Sequence, residues 1–134
     1  MVDIYSFEID SLEFDRILTG KKTAQLLVNE PKRKDYAVGN QITFKRNLET
    51  LTDEQKEVNE KGELIVEVQA TISNLLYFND FVEAINTLGK ESCGFKASAT
   101  IEKTSDLCLA DDSYESVEKY GIVAVVFDFQ TEAN

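Results

Sequence analysis

The 134-residue chain contains no histidine. That absence removes a Ser-His-Asp triad, a Cys-His dyad, a His-ligated zinc and an HExxH site. Any catalysis has to run on Lys, Asp, Glu, Tyr, Thr or Cys. Cysteine is also scarce. Cys93 and Cys108 are too few for a disulfide framework, and both read as buried small apolar side chains without a basic sequence neighbour to make a thiolate. No apolar run approaches the roughly 20 residues a bilayer span requires. The opening MVDIYSFEID lacks a basic n-region and an apolar h-region, so a secretory signal is not expected and a cytoplasmic location is. No cofactor and no metal are expected either. Asp111-Asp112 is a pair of adjacent carboxylates, which reads as a solvated turn and helix cap.

What remains is the composition of an ordinary globular domain, 43% hydrophobic and 29% charged. One domain over residues 1–134, with a core from about 4 to 130, is long enough to bury a real interior. The net charge of −11 argues against an indiscriminate nucleic-acid binder. The charge is uneven, however. Residues 1–48 carry eight Lys/Arg against seven Asp/Glu, and residues 49–134 carry six against eighteen. An anionic ligand is therefore expected to meet the first third of the chain, and a protein partner the acidic remainder.

Hydrophobic periodicity sets out the elements. Tyr5, Phe7 and Ile9 alternate with Ser6 and Glu8, which predicts a strand over Ile4–Ile9. Asp10 and Glu13 form a capping-box pattern ahead of a helix with Phe14, Ile17 and Leu18 as its stripe and Gly20 as its stop. Strands are predicted over Thr23–Val28 and Gln41–Arg46, the latter with Ile42 and Phe44 inward and Thr43 and Lys45 outward. Asn47–Glu63 is polar and reads as a hairpin arm or mobile loop. Leu64–Ile72 alternates most cleanly and is expected to be the longest strand. Asp80 and Glu83 cap a helix with Phe81, Ile85 and Leu88 on one face. Weaker helical segments follow at Ser98–Leu109 and Asp112–Lys119. Gly121 then releases the chain into an apolar strand over Ile122–Phe129, buried on both faces or set in a barrel wall. Helices are inserted between strands without regular βαβ crossovers, so a small, mostly antiparallel barrel fits better than a doubly wound parallel sheet.

Four segments resemble the ASCH domain, a relative of the PUA domain. Phe14–Leu27 resembles its helix followed by G-x-K-x-x-E-x-R. Val38-Gly39-Asn40-Gln41-Ile42-Thr43-Phe44 is similar to its "vGD.i.F" strand, Ala70–Phe78 to its strand before a helix, and Glu118–Val125 to its terminal "eekyGvvai" strand. The resemblance implies an α+β fold: a PUA-like small, mostly antiparallel β-barrel with short helices covering its ends. It also implies a cleft for RNA or a nucleotide-like ligand. Some members are amidohydrolases acting on N4-acylated cytidines through the motif lysine and a nearby threonine. Gly20 and Lys22 match the motif, whereas Gln25 stands at the glutamate position, Leu27 at the arginine and Asn40 at the aspartate. The deacylating members carry their threonine at the Gln25 position. Lys22 thus lacks the ion-pair partner the motif would give it.

The expected function is a binding module for RNA or a nucleotide, using a cleft beside Gly20–Lys22 with Lys21, Lys22, Thr23, Gln25 and Lys45 as contacts. Lys45 and Arg46 face opposite ways, so at most one can join Lys22 at the cleft. Tyr5, Tyr77 and Phe78 are candidates to stack on a base, although strand aromatics more often pack a core. The alternative is an amidohydrolase run by Lys22, and a third reading is a protein-interaction module using the acidic face. A basic cleft favours the first, a buried Lys22 beside a carboxylate the second, and a filled cleft the third.

Overall fold

A computed structural model describes residues 4–33, 35–96, 98–100, 102–104 and 114–129. Its elements are β1 (Ile4–Ile9), α1 (Ser11–Leu18), β2 (Ala24–Val28), β3 (Gln41–Arg46), α2 (Asp53–Glu60), β4 (Glu67–Phe78), α3 (Phe81–Leu88), α4 (Tyr114–Tyr120) and β5 (Ile122–Asp128). The five strands form one curled sheet in the order β1-β3-β4-β5-β2. β1 runs parallel to β3, and the other three pairings are antiparallel. The fold is α+β, a five-stranded half-barrel with a few short helices.

Two apolar clusters hold it together. The first gathers Ile9, Phe14, Ile17, Ile42, Phe44 and Phe127, so α1 packs its predicted stripe onto the inner surface of β1, β3 and β5. The Phe44 and Phe127 rings lie 4.8 Å apart, centroid to centroid, within the range of favourable aromatic pairs. The second cluster joins β2 and β5 to α3 and α4 through Val28, Ile122, Phe81, Ile85 and Val117. β5 serves both, and Ile122 through Val125 are all buried, which is why this strand reads as a continuous apolar run.

Several predicted elements shift. Asn47–Glu63 contains α2, which has no buried residue and so left no apolar periodicity to read. Its start was nonetheless written in the chain, because Thr52 and Gln55 form a reciprocal capping box. β4 begins at Glu67 rather than Leu64, and Ile65 and Val66 are exposed. It then continues to Phe78, because a register shift between Ile72 and Asn74 lets it keep pairing with β5. β4 is still the longest described strand. Thr43 is buried rather than outward. Of the helix predicted over Ser98–Leu109, residues 102–104 are helical and 105–109 lie outside the described residues. Cys108 and Asp111-Asp112 also lie outside them. No helix among the described residues is long and apolar enough to cross a membrane.

The α2 arm is tied to the body by polar contacts. The buried Arg46 guanidinium pairs with Asp15 at 2.9 Å through Nη1, which also donates to Ser11 O and Oγ, while Nε donates to Ile65 O. Gln55 on α2 completes the network, with Nε2 donating to Asp15 Oδ2 at 2.7 Å and Oε1 accepting from Ser11 Oγ at 2.7 Å. Truncating Arg46 strands these acceptors together with the Asp15 carboxylate, which is 43% exposed and so still partly hydrated. Arg46→Met is expected to lower unfolding free energy by about 3 kcal/mol, near the low end for breaking a buried ion pair. Urea denaturation checks this, and a loss under about 1 kcal/mol would show that the network does not hold the arm.

Candidate functional site

α1 places two charged side chains three residues apart, Glu13 and Arg16, while Phe14 and Ile17 anchor it in the core. The chain leaves α1 through Gly20, at φ +79°, where a residue with a Cβ is disfavoured. Lys21 and Lys22 both donate their backbone N–H to Arg16 O, at 2.9 and 3.0 Å, so the turn doubles back along the helix. The Lys22 side chain is thereby buried, 1% exposed, with its ammonium 3.0 Å from Glu13 Oε1. The same nitrogen donates to Ala24 O at 2.9 Å and Cys93 O at 3.1 Å. An ammonium has three protons, and here all three have acceptors.

Glu13 therefore supplies the partner that Gln25 does not. The capping-box reading of Asp10 and Glu13 is corrected in the same stroke. Asp10 does cap α1, accepting from Leu12 N–H at 3.0 Å, but the Glu13 carboxylate turns to Lys22 instead of back to the cap.

The segment following α3 lies over this corner. Thr23 and Ala24 N–H both donate to Ser92 O at 2.9 Å, covering the start of edge strand β2. Arg16 Nη1 donates to Gly94 O at 2.8 Å. Further along, the Lys90 ammonium donates to Ala99 O at 2.6 Å. Between this segment and α1 lies a hollow of about 630 Å³ whose lining includes Leu12, Arg16, Phe95, Lys96, Thr100 and Lys103. A second hollow, of about 420 Å³, shares Arg16, Phe95, Lys96 and Ser98 with it and adds Lys21. The two form one groove beside the Gly20–Lys22 loop. Among the described residues it carries four cations, Arg16, Lys21, Lys96 and Lys103, against the two acids Asp10 and Glu91.

The five residues singled out in the sequence divide accordingly. Lys21 is exposed at the groove. Lys22 lies beneath it, sealed in the ion pair. Thr23 is half-buried, with its backbone committed to Ser92 and Phe127. Gln25 sits on β2, and its Oε1 is buried with no hydrogen-bond partner among the described residues. Lys45 is exposed in a different hollow, beside Glu8 and Glu67, its cross-strand neighbours on β1 and β3's other partner β4. The structure thus brings Lys21 to the groove and keeps Lys45 away. Of the proposed stacking aromatics, Tyr5 packs on Tyr36 at 4.0 Å and Phe78 joins the second core cluster, while Tyr77 is exposed. Sequence reasoning missed Arg16, Phe95, Lys96 and Lys103. One signal was available: three of the six cations after residue 48, Lys90, Lys96 and Lys103, fall within fourteen positions of one another. No group of metal-ligating side chains occurs among the described residues.

No family model matches the chain, and no curated protein does. Among solved structures it is similar to hypothetical protein PH0355, with a TM-score of 0.70 at 17% identity over 96% of this chain and 100% of that one. It is also similar to protein PF0455 from Pyrococcus furiosus, with a TM-score of 0.63 at 16% identity over 95% of this chain and 97% of that one. At such identities the likeness establishes the fold, the curled half-barrel with its short helices, and nothing further.

Cys93 is buried in the floor of this corner, and burial pushes its thiol from 9.0 up to about 11, against a smaller opposing pull from the Lys22 ammonium. The fold thus favours the protonated thiol. Its contribution to stability is complete below about pH 9 and is lost as pH rises through about 11. In a Cys108→Ser background, iodoacetamide is expected to alkylate Cys93 at pH 8 about a hundredfold more slowly in the native state than in urea, following the thiolate fractions. Comparable rates in the two states would contradict the burial.

Proposed function

We propose that this chain is a PUA-like domain of the ASCH type that binds RNA or a nucleotide-like ligand in the groove between α1 and the segment after α3 that carries Phe95, Lys96 and Lys103. One observation carries the reading. On a protein of net charge −11, four of the fourteen Lys/Arg line a single groove, with two acids among the described residues. Local charge of this kind attracts phosphate where the molecule as a whole repels it. Phe95 lines both hollows and supplies an apolar surface for a base, and Ser98 and Thr100 supply hydroxyls for phosphate or sugar. Sequence-tolerant stacking on Phe95 beside phosphate-binding cations suits a single strand with accessible bases better than a duplex.

An amidohydrolase would call for a buried lysine beside a carboxylate, and Lys22 and Glu13 answer that description. Two features support binding instead. The Lys22 nitrogen has three acceptors within 3.1 Å, so it has neither a free lone pair nor a free proton to offer a substrate. Gln25, at the position of the deacylases' threonine, cannot serve as a nucleophile or shuttle a proton at neutral pH.

Fluorescence anisotropy with a 12-nucleotide single-stranded RNA tests the reading. Binding is expected to weaken with salt at a log–log slope of about −2 to −3, the value for three or four phosphate contacts on a single strand. Arg16→Ala and Lys103→Ala are each expected to cost about fivefold in affinity and to flatten the slope by about 0.7. Lys45→Ala, outside the groove, is expected to cost little. Equal losses at all three positions would mean that diffuse attraction, and not the groove, binds the RNA. Incubation with N4-acetylcytidine is expected to leave it intact, and turnover abolished by Lys22→Ala would replace binding with hydrolysis.

A further inference from the structure

The groove has a wall whose backbone is held at unusually many points. Ser92, Cys93 and Gly94 are consecutive, and the carbonyl of each accepts from the α1–β2 corner. Ser92 O takes the Thr23 and Ala24 N–H groups, Cys93 O takes Lys22 Nζ, and Gly94 O takes Arg16 Nη1. Immediately after these three residues the chain supplies Phe95 and Lys96 to the groove. Gly94 is required by the same packing. A Cβ there would lie 2.6 Å from Glu13 Oε1 and 2.9 Å from Lys22 Nζ, and φ is +98°.

Resting on the groove as the ligand site, we infer that Lys22 is a positioning residue: its ammonium, seated between Glu13, Ala24 O and Cys93 O beneath Gly94, fixes the wall from which Phe95 and Lys96 meet the ligand, and Arg16 makes the contact that the motif lysine leaves vacant. The chemistry selects lysine for this place. One tetrahedral nitrogen sends three protons to three acceptors from three segments of the chain, whereas a guanidinium spreads its donors in a plane and cannot focus them on one point. Arg16 spends one amino group on Gly94 O, and the fork keeps further donors for a phosphate. The wall and the ligand cation are therefore linked through Gly94: a wall that drifts takes Arg16 with it.

Two measurements on the full chain, made well below the unfolding midpoint, test this. The first is amide hydrogen exchange in Lys22→Met, Glu13→Gln and Gly94→Ala. The second is affinity and salt slope for the same 12-nucleotide RNA. Exchange is expected to quicken over residues 92–104 with the sheet unchanged. Affinity is expected to fall about tenfold in all three variants, as displacement of a preorganised site does, with the salt slope of Lys22→Met changed no more than those of Glu13→Gln and Gly94→Ala. Lys22→Arg is expected not to restore binding. A slope reduced by about 0.7 in Lys22→Met but not in Glu13→Gln or Gly94→Ala, which remove no cation, would make Lys22 a direct ligand contact and overturn the assignment. Unaltered affinity in folded variants overturns it too, with quickened local exchange leaving Lys22 a purely structural role and unaltered exchange leaving it none in the wall. Glu13→Gln, which keeps the acceptor oxygen and the side-chain shape, carries the test where Lys22→Met does not fold. Should the parent protein not bind the RNA, the functional reading falls, and the exchange pattern alone decides whether Lys22 holds the wall.

Discussion

A buried charge must be paired and hydrogen-bonded on every side or it destabilises the fold that buries it. The Lys22 ammonium meets that requirement by drawing together three separate elements: the α1 carboxylate of Glu13, the first carbonyl of β2 and, seventy-one residues on, the carbonyl of Cys93. Much of the surrounding structure follows from it. The turn through Gly20 has to reverse tightly for the side chain to reach Glu13. Gly94 has to lack a side chain. Ser92 has to lie over the N-terminal end of β2, where it also covers backbone groups that an edge strand would leave open. Satisfying one nitrogen settles where the wall of the groove runs.

α1 carries a second acid that does the same on its other flank. Asp15 receives Arg46 from β3 and Gln55 from α2, so the helix is clamped by buried cations on both sides and by apolar packing beneath. These two pairings also sort the charges. Lys22 and Arg46, two of the eight cations of the N-terminal third, are consumed internally and are lost to any ligand. Arg16 and Lys21 remain at the surface from that region, and Lys96 and Lys103 join them from the acidic part of the chain. The groove is thus cationic through a selection that net charge by segment does not show.

Much of the architecture was legible in the linear order of residues, for reasons of periodicity and capping. Apolar alternation marks β1 and β3, and an unbroken apolar run marks β5, because each buries one or both faces. The caps Asp10 and Asp80 mark α1 and α3 because the first helical N–H groups need acceptors. α2 was illegible as a periodic pattern because it buries nothing, although Thr52 and Gln55 announced where it begins. The true span of β4 depended on a bulge, which has no pattern of its own.

The chain by itself determined that no histidine chemistry operates, that β1, β2, β3, β5, α1 and α3 form where they do, and that a lysine at position 22 ends the first helix–turn unit. These are local properties, set by side-chain type and by spacings of two to four residues. Only the tertiary structure decided what that lysine does. Its proximity in sequence to Lys21 and Thr23 suggested a surface loop reaching for a ligand. The acceptors that bury it instead come from Glu13, nine residues earlier, and Cys93, seventy-one residues later, and contacts at such separations leave no periodicity to read. The groove has the same origin, since α1 and the residues that face it become neighbours only when the sheet curls and lays the segment after α3 against the first helix.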